Sequence, residues 1–237
     1  MRSAILGAVF FCVSSGAMAQ TSVPIHVTIV MHSEQTVEYH ENPLLFELSR
    51  TNLYRFSSLI AQRVVMFNFQ SDWTFLAAVT NYDAAGRPET GGTNIVAWLE
   101  RDLGFEIDPH NHINQSEYNY ADVAALIALC GATPTPVAGG FVAWPPASNE
   151  LHIFQGSFTG AVYTAFTWRA GTLWGGASLG HRNETNLWFS GVYAPRDGTN
   201  WQSHQDGNLP LVGGYGGREV AWTNLDRLLA LRDAGQL

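Results

Sequence analysis

His110 and His112 stand one residue apart, directly after Asp108 and Pro109, in the run GFEIDPHNHIN that spans 104–114. Phe105 and Ile107 alternate there with Glu106 and Asp108, the period-two pattern of a β-strand. Pro109 lacks the amide donor that would carry pairing further. In extended chain, residues two apart point to one side, so both imidazoles leave the strand end together. Two imidazoles beside a carboxylate form a donor set for a divalent metal, zinc first, with manganese, cobalt or nickel as alternatives. The other reading of the same residues is a polar turn with two solvated histidines.

Two further stretches repeat the arrangement. Residues 23–31, VPIHVTIVM, are almost continuously β-branched, which predicts a strand buried on both faces, as in a parallel sheet. His32, Ser33 and Glu34 follow it. Residues 64–70, VVMFNFQ, predict a second strand, and Ser71 and Asp72 follow that one. Metal-ligating residue types therefore follow three successive predicted strands. His32, Glu34, His110 and His112 are the candidate ligands. Asp72, Glu34 and Asp108 are the candidate carboxylates for taking a proton from a metal-activated water; the sequence does not choose among them. His181, beside Gly180, is a further candidate, as ligand or as general acid.

The elements that must position these residues alternate. Helical spacing predicts helices over 43–63, 74–82, 93–103 and 118–130, with Asn42 and Thr93 as caps and Gly104 and Gly131 as stops. Residues 49–52 are a weak point where the first helix divides in two. A last strand is expected over 137–144. Strand–helix alternation implies parallel βα units, whose sites lie at the C-terminal ends of the strands. From Ser148 the texture changes to Gly-rich, β-type stretches. Residues 148–218 read as a β and loop-rich insertion, and 219–234 as a terminal amphipathic helix. Trp168, Trp174, Trp188 and Trp201 fall in this half. They either line a sugar-binding groove or pack beneath the Gly-rich loops, packing being the simpler reading. An α/β fold places another strand after such a helix, so the barrel is expected to be incomplete at its C-terminal end.

Composition narrows the partners. The chain has 237 residues, enough for one sizeable domain. Its formal charge of −8 argues against nucleic acid or an anionic membrane as partner. Arg2, the apolar run 4–13 and the Ala17-Met18-Ala19 signal predict a cleavable secretory peptide over 1–19, followed by a single domain over 20–237 in which 20–147 hold the βα units. The apolar run is too short to span a bilayer. The protein is thus expected to be secreted or periplasmic. Cys12 would leave with the peptide, and Cys130, alone in an apolar helical run, is expected as a buried thiol. Asn114 and Asn183 open glycosylation sequons.

Residues 94–110, NIVAWLERDLGFEIDPH, resemble the helix-then-strand segment of the NodB-type polysaccharide deacetylases, over a stretch covering roughly 25–145. In that family a helix ending in Gly leads to a strand whose His binds a metal. The resemblance implies an irregular, metal-dependent (β/α) barrel and hydrolysis of acetyl groups on a polysaccharide or peptidoglycan. Only His110 carries over by position. The family's second His lies four residues on, where this chain has Asn114, and His112 stands two residues on instead. The family's aspartate pair after the first strand is replaced by His32 and Glu34. Two other functions fit the residues. One is a metal-free glycoside hydrolase using Glu34 with Asp72 or Asp108. The other is a non-catalytic carbohydrate-binding or cell-envelope protein on a degenerate barrel.

Overall fold

The computed structural model describes residues 23–34, 38–63, 65–112, 115–142, 150–176, 191–196, 207–213 and 222–236. Its first half is built as strand and helix in turn: β1 (Ile29–His32), α1 (Pro43–Gln62), β2 (Phe67–Ser71), α2 (Trp73–Tyr82), α3 (Ile95–Arg101), β3 (Glu106–Pro109), α4 (Tyr120–Leu129) and β4 (Val137–Val142). The second half adds β5 (Phe158–Thr159), β6 (Thr167–Trp168), β7 (Thr172–Gly176), β8 (Gly191–Tyr193), β9 (Leu211–Gly213) and α5 (Trp222–Asp233). Strands β1, β2 and β3 pair in sequence order, all parallel. A single parallel bridge, His110 to Gly139, joins β3 to β4. From β4 a second, four-stranded sheet runs through parallel β7 and β9 to antiparallel β8. Consecutive parallel strands with helical crossovers are what the alternation predicts. Among the described residues, no pairing closes β1 onto β8.

Local chemistry explains the helices. Asn42 accepts the Leu45 amide and places Pro43 in the first turn of α1. Asp72, Asn94 and Asn119 cap α2, α3 and α4 in the same way, Asn119 within a capping box closed by Asp122. Thr93 is therefore not the cap of α3; its hydroxyl donates back to Thr90 instead. Helix α1 runs unbroken through 49–52. The polar residue that makes this stretch look weak, Arg50, is buried there. It bonds Asp83 at 2.9 Å and Glu89 at 2.7 Å. Asp83 also accepts Arg87 and the Ile95 amide, so one buried carboxylate ties α1 to the loop that starts α3.

Strand β1 is shorter and wetter than expected. Val23 and Val27 lie outside it and are exposed, and Ile29 to Met31 are only half-buried. The reason is position: among the described residues, β1 pairs on one side, with β2. Both faces of β2, by contrast, are buried throughout. The region expected as a β and loop-rich insertion, 148–218, supplies β7, β8 and β9 to the sheet that begins with β4. Its glycines hide a strand because ladder hydrogen bonds use the backbone alone.

Two apolar cores result. One gathers Phe46, Leu53, Phe67, Phe69, Leu76, Val96, Leu99 and Ile107 between the sheet and α1 to α3. The other gathers Leu151, Phe154, Trp168, Leu173 and Leu211 in the second half. Helix α4 belongs to both, giving Val123, Leu126 and Ile127 to the first and Tyr120, Ala121 and Ala124 to the second. Cys130 lies buried beside it, its thiol pushed up to about 12 by desolvation. Trp168 packs in the second core and donates to Thr135 O, the packing role expected of it.

Candidate metal centre

The strand ends are locked together by backbone. Ser33 donates to Gln70 O and His110 to Ser71 O, each at 2.9 Å, one residue beyond the paired segments. His32, the last residue of β1, is thereby brought beside His110, just past β3; their ring centroids lie 4.7 Å apart. Glu34 turns back toward His32, with Oε1 at 3.8 Å from Nδ1. One ligand atom each from His32, Glu34 and His110 falls within 4.8 Å of the others. His110 is buried, Glu34 half-buried and His32 exposed, so the group opens to solvent on one side. Two imidazoles and a carboxylate with an open side are a donor set that could hold a divalent ion and leave a coordination position open.

The surroundings fit such a group. Gly140 sits in a bulge between β4 and β7 with φ +76°, a conformation that favours glycine. A Cβ there would come within 2.9 Å of His110 Nε2. The His110 ring thus lies against the Gly140 backbone, in space that a side chain there would take.

The other expected residues divide. His112 packs edge-on to His110 with centroids 5.1 Å apart, so the two rings do leave the strand end together, yet His112 is not one of the three that converge. Asp72 is fully buried at the head of α2. Its Oδ1 accepts Ser33 Oγ, Thr74 Oγ1 and the Phe75 amide, and Oδ2 also accepts the Thr74 hydroxyl. Desolvation, aided by the nearby charge of Glu34, outweighs these bonds and pushes Asp72 up to about 7. Asp108 is buried within β3 and accepts Asn68 Nδ2, Gln70 Nε2 and Thr135 Oγ1. Desolvation pushes it up to about 6. His181, Asn114, Asn183, Trp188 and Trp201 lie outside the described residues.

Sequence reasoning passed over Ser33, Asn68, Gln70, Thr135, Gly139 and Gly140. A signal was present in β2. Phe67 and Phe69 alternate with Asn68 and Gln70, so one face of a fully buried strand is polar. Buried amides demand partners, and here Asp108 on the neighbouring strand meets both.

A stacked aromatic pair, Trp73 on Tyr118 at 4.4 Å and 6°, stands on the segments that follow β2 and β3. His40 packs against Trp73 from the segment after β1. Among the described residues, no helix is long and apolar enough to cross a membrane. Comparison with protein-family models, curated proteins and solved structures gave no match.

Proposed function

We propose that this chain is an exported metal-dependent hydrolase that acts on a carbohydrate, removing acetyl groups from a polysaccharide or peptidoglycan on a NodB-type (β/α) scaffold. The observation that carries the reading is the convergence of His32, Glu34 and His110 at the C-terminal ends of β1 and β3, the two parallel strands that flank β2. These three residues would hold a divalent ion, zinc by donor type. When bound, such an ion polarises a carbonyl and lowers the pKa of water.

The chain's own residues supply the rest. Glu34 and His32 keep the site open to a polymer. Ser33 lies between two of the ligand residues and donates to Asp72 Oδ1, so it links the site to a buried carboxyl. With Asp72 near 7, that carboxyl exchanges a proton at neutral pH, as general base catalysis requires. The half-buried Trp73 and Tyr118 stand on the segments that follow β2 and β3, at the same end of the sheet, and aromatic faces suit the apolar face of a sugar ring. The carbohydrate class itself rests on the sequence resemblance.

Purified protein loaded with zinc, then assayed for acetate release from chitooligosaccharides, acetylated xylan and peptidoglycan, tests the proposal. The expected result is one zinc per chain and acetate release that chelator abolishes and zinc restores, both lost in His110→Ala and His32→Ala. Glycan cleavage indifferent to chelator would point to a glycosidase instead. Glycan binding unaffected by both substitutions, with no acetate released, would point to a binding protein.

A further inference from the structure

Beyond the triad, His110 also meets Gln70, on the strand between β1 and β3. Its side chain is fully buried. Gln70 Oε1 lies 3.4 Å from His110 Nδ1, and Gln70 Nε2 lies 3.3 Å from Asp108 Oδ2. Those contacts fix the amide's direction. Asp108 receives Asn68 on the same oxygen and Thr135 on the other. Turning Gln70 over would set its carbonyl oxygen against Asp108 Oδ2, lone pair to lone pair. The NH2 therefore faces Asp108 and the carbonyl faces His110. A carbonyl oxygen can only accept. Nδ1 must then carry the ring proton, which leaves the lone pair of His110 on Nε2.

Gly139 holds this arrangement in place. A Cβ at that position would come within 2.6 Å of Gln70 Oε1 and 2.7 Å of Cδ. The amide fills the space a side chain would take on β4, and has no room to rotate. Gln70 reaches β4 across the intervening β3. A flat sheet would hold those backbones about 10 Å apart, two strand spacings, so the sheet curls toward this face. Gly140 next to it allows the His110 ring to pack close, since a Cβ there would come within 2.9 Å of Nε2.

We infer that Gln70 is a positioning residue, which holds His110 as the Nδ1–H tautomer and thereby presents Nε2 to the space shared with His32 and Glu34. The inference deepens the metal reading and rests on it for its purpose, though not for its test. An outer partner on the far ring nitrogen fixes ligand orientation and raises basicity; losing one costs about 10–100-fold in metal affinity.

Long-range 1H–15N correlation spectra of the metal-free, full-length protein at alkaline pH read each histidine's tautomer, with His110 assigned from its substitution. The wild type should show His110 with the proton on Nδ1. Gln70→Leu should shift it toward the Nε2–H form and weaken zinc binding by about 10–100-fold. An Nε2–H tautomer in the wild type overturns the inference, and that spectrum decides the matter even if Gln70→Leu does not fold. A tautomer unchanged in folded Gln70→Leu overturns it as well. Wild-type protein that shows Nδ1–H but takes up no zinc overturns the metal reading alone.

Discussion

Asp72→Asn separates two roles that one carboxyl holds in this structure. As a cap, Asp72 is replaceable: asparagine caps as well as aspartate, and an amide oxygen can accept Ser33, Thr74 and the Phe75 amide as Oδ1 does. As a buried acid it is costly. Its ordinary value of 3.8 rises to about 7 in the fold. A carboxyl that keeps its proton to about 7 when folded, but loses it near 4 when unfolded, binds more protons in the native state across that interval. Its contribution is present in full below about pH 4 and is lost as pH rises through 7. A shift of about three units corresponds to about 4 kcal/mol, or on the order of 10 °C in Tm for a domain of this size. The assay is urea unfolding of wild type and Asp72→Asn from pH 4 to 8, in chelator so that no cation holds the carboxylate ionised. The difference between the two proteins should move toward the variant by about 4 kcal/mol over that range, with Asp72→Asn the more stable near pH 8. A difference independent of pH, or one that moves toward the wild type, would refute the argument that desolvation governs this group. With zinc added, the variant should bind metal normally and lose acetate release, because the amide cannot take a proton.

Two further outcomes concern the scaffold. Arg50→Met should cost about 3–5 kcal/mol by urea unfolding, because Asp83 stays buried with a lost partner, and adding Asp83→Asn should recover part of that loss; a cost under about 0.5 kcal/mol, the range of an ordinary surface substitution, would contradict it. Asp122 accepts the amides of Ala161, Val162 and Tyr163. Asp122→Ala should therefore speed hydrogen exchange at those three amides at least about tenfold, the signature of a local opening, while β1 to β3 keep their protection; unchanged exchange there would mean the turn is held by other contacts.

The parts legible in the sequence were those set by period and by caps. Strands β2, β3 and β4 and helices α1 to α4 follow hydrophobic spacing, and three of the candidate ligands meet because β1, β2 and β3 pair in order. What the sequence concealed was context. Val23 to Val27 look like a buried strand, but β-branched runs do not reveal that the strand stands at an edge. Residues 49–52 look like a helix break because an arginine's partners, Asp83 and Glu89, lie more than thirty positions away. Thr172–Gly176 looks like loop because glycine has low strand propensity, though its backbone pairs on both sides. Gln70 has no distinguishing type or spacing to Asp108 or His110. Only the parallel register, which sets Gln70 against Asp108, makes it part of the site.

Helix α4 gives these parts a common fate. The triad, its supporting amides and the first core all come from residues before 143, which makes the front of the chain look separable as a miniature enzyme. It is not. Nearly every residue of α4 is buried, and the face formed by Tyr120, Ala121 and Ala124 is kept dry by the later residues Phe154, Trp168 and Leu173. The Tyr120 hydroxyl also bridges Asn111 O and Gly139 O, where the ladder between β3 and β4 is reduced to one bridge. A fragment cut after β4 would carry every ligand and still present a wet apolar helix beside its own seam, the kind of surface that drives chains into inclusion bodies. Engineering this site into a smaller scaffold therefore means redesigning one side of α4 before touching any histidine.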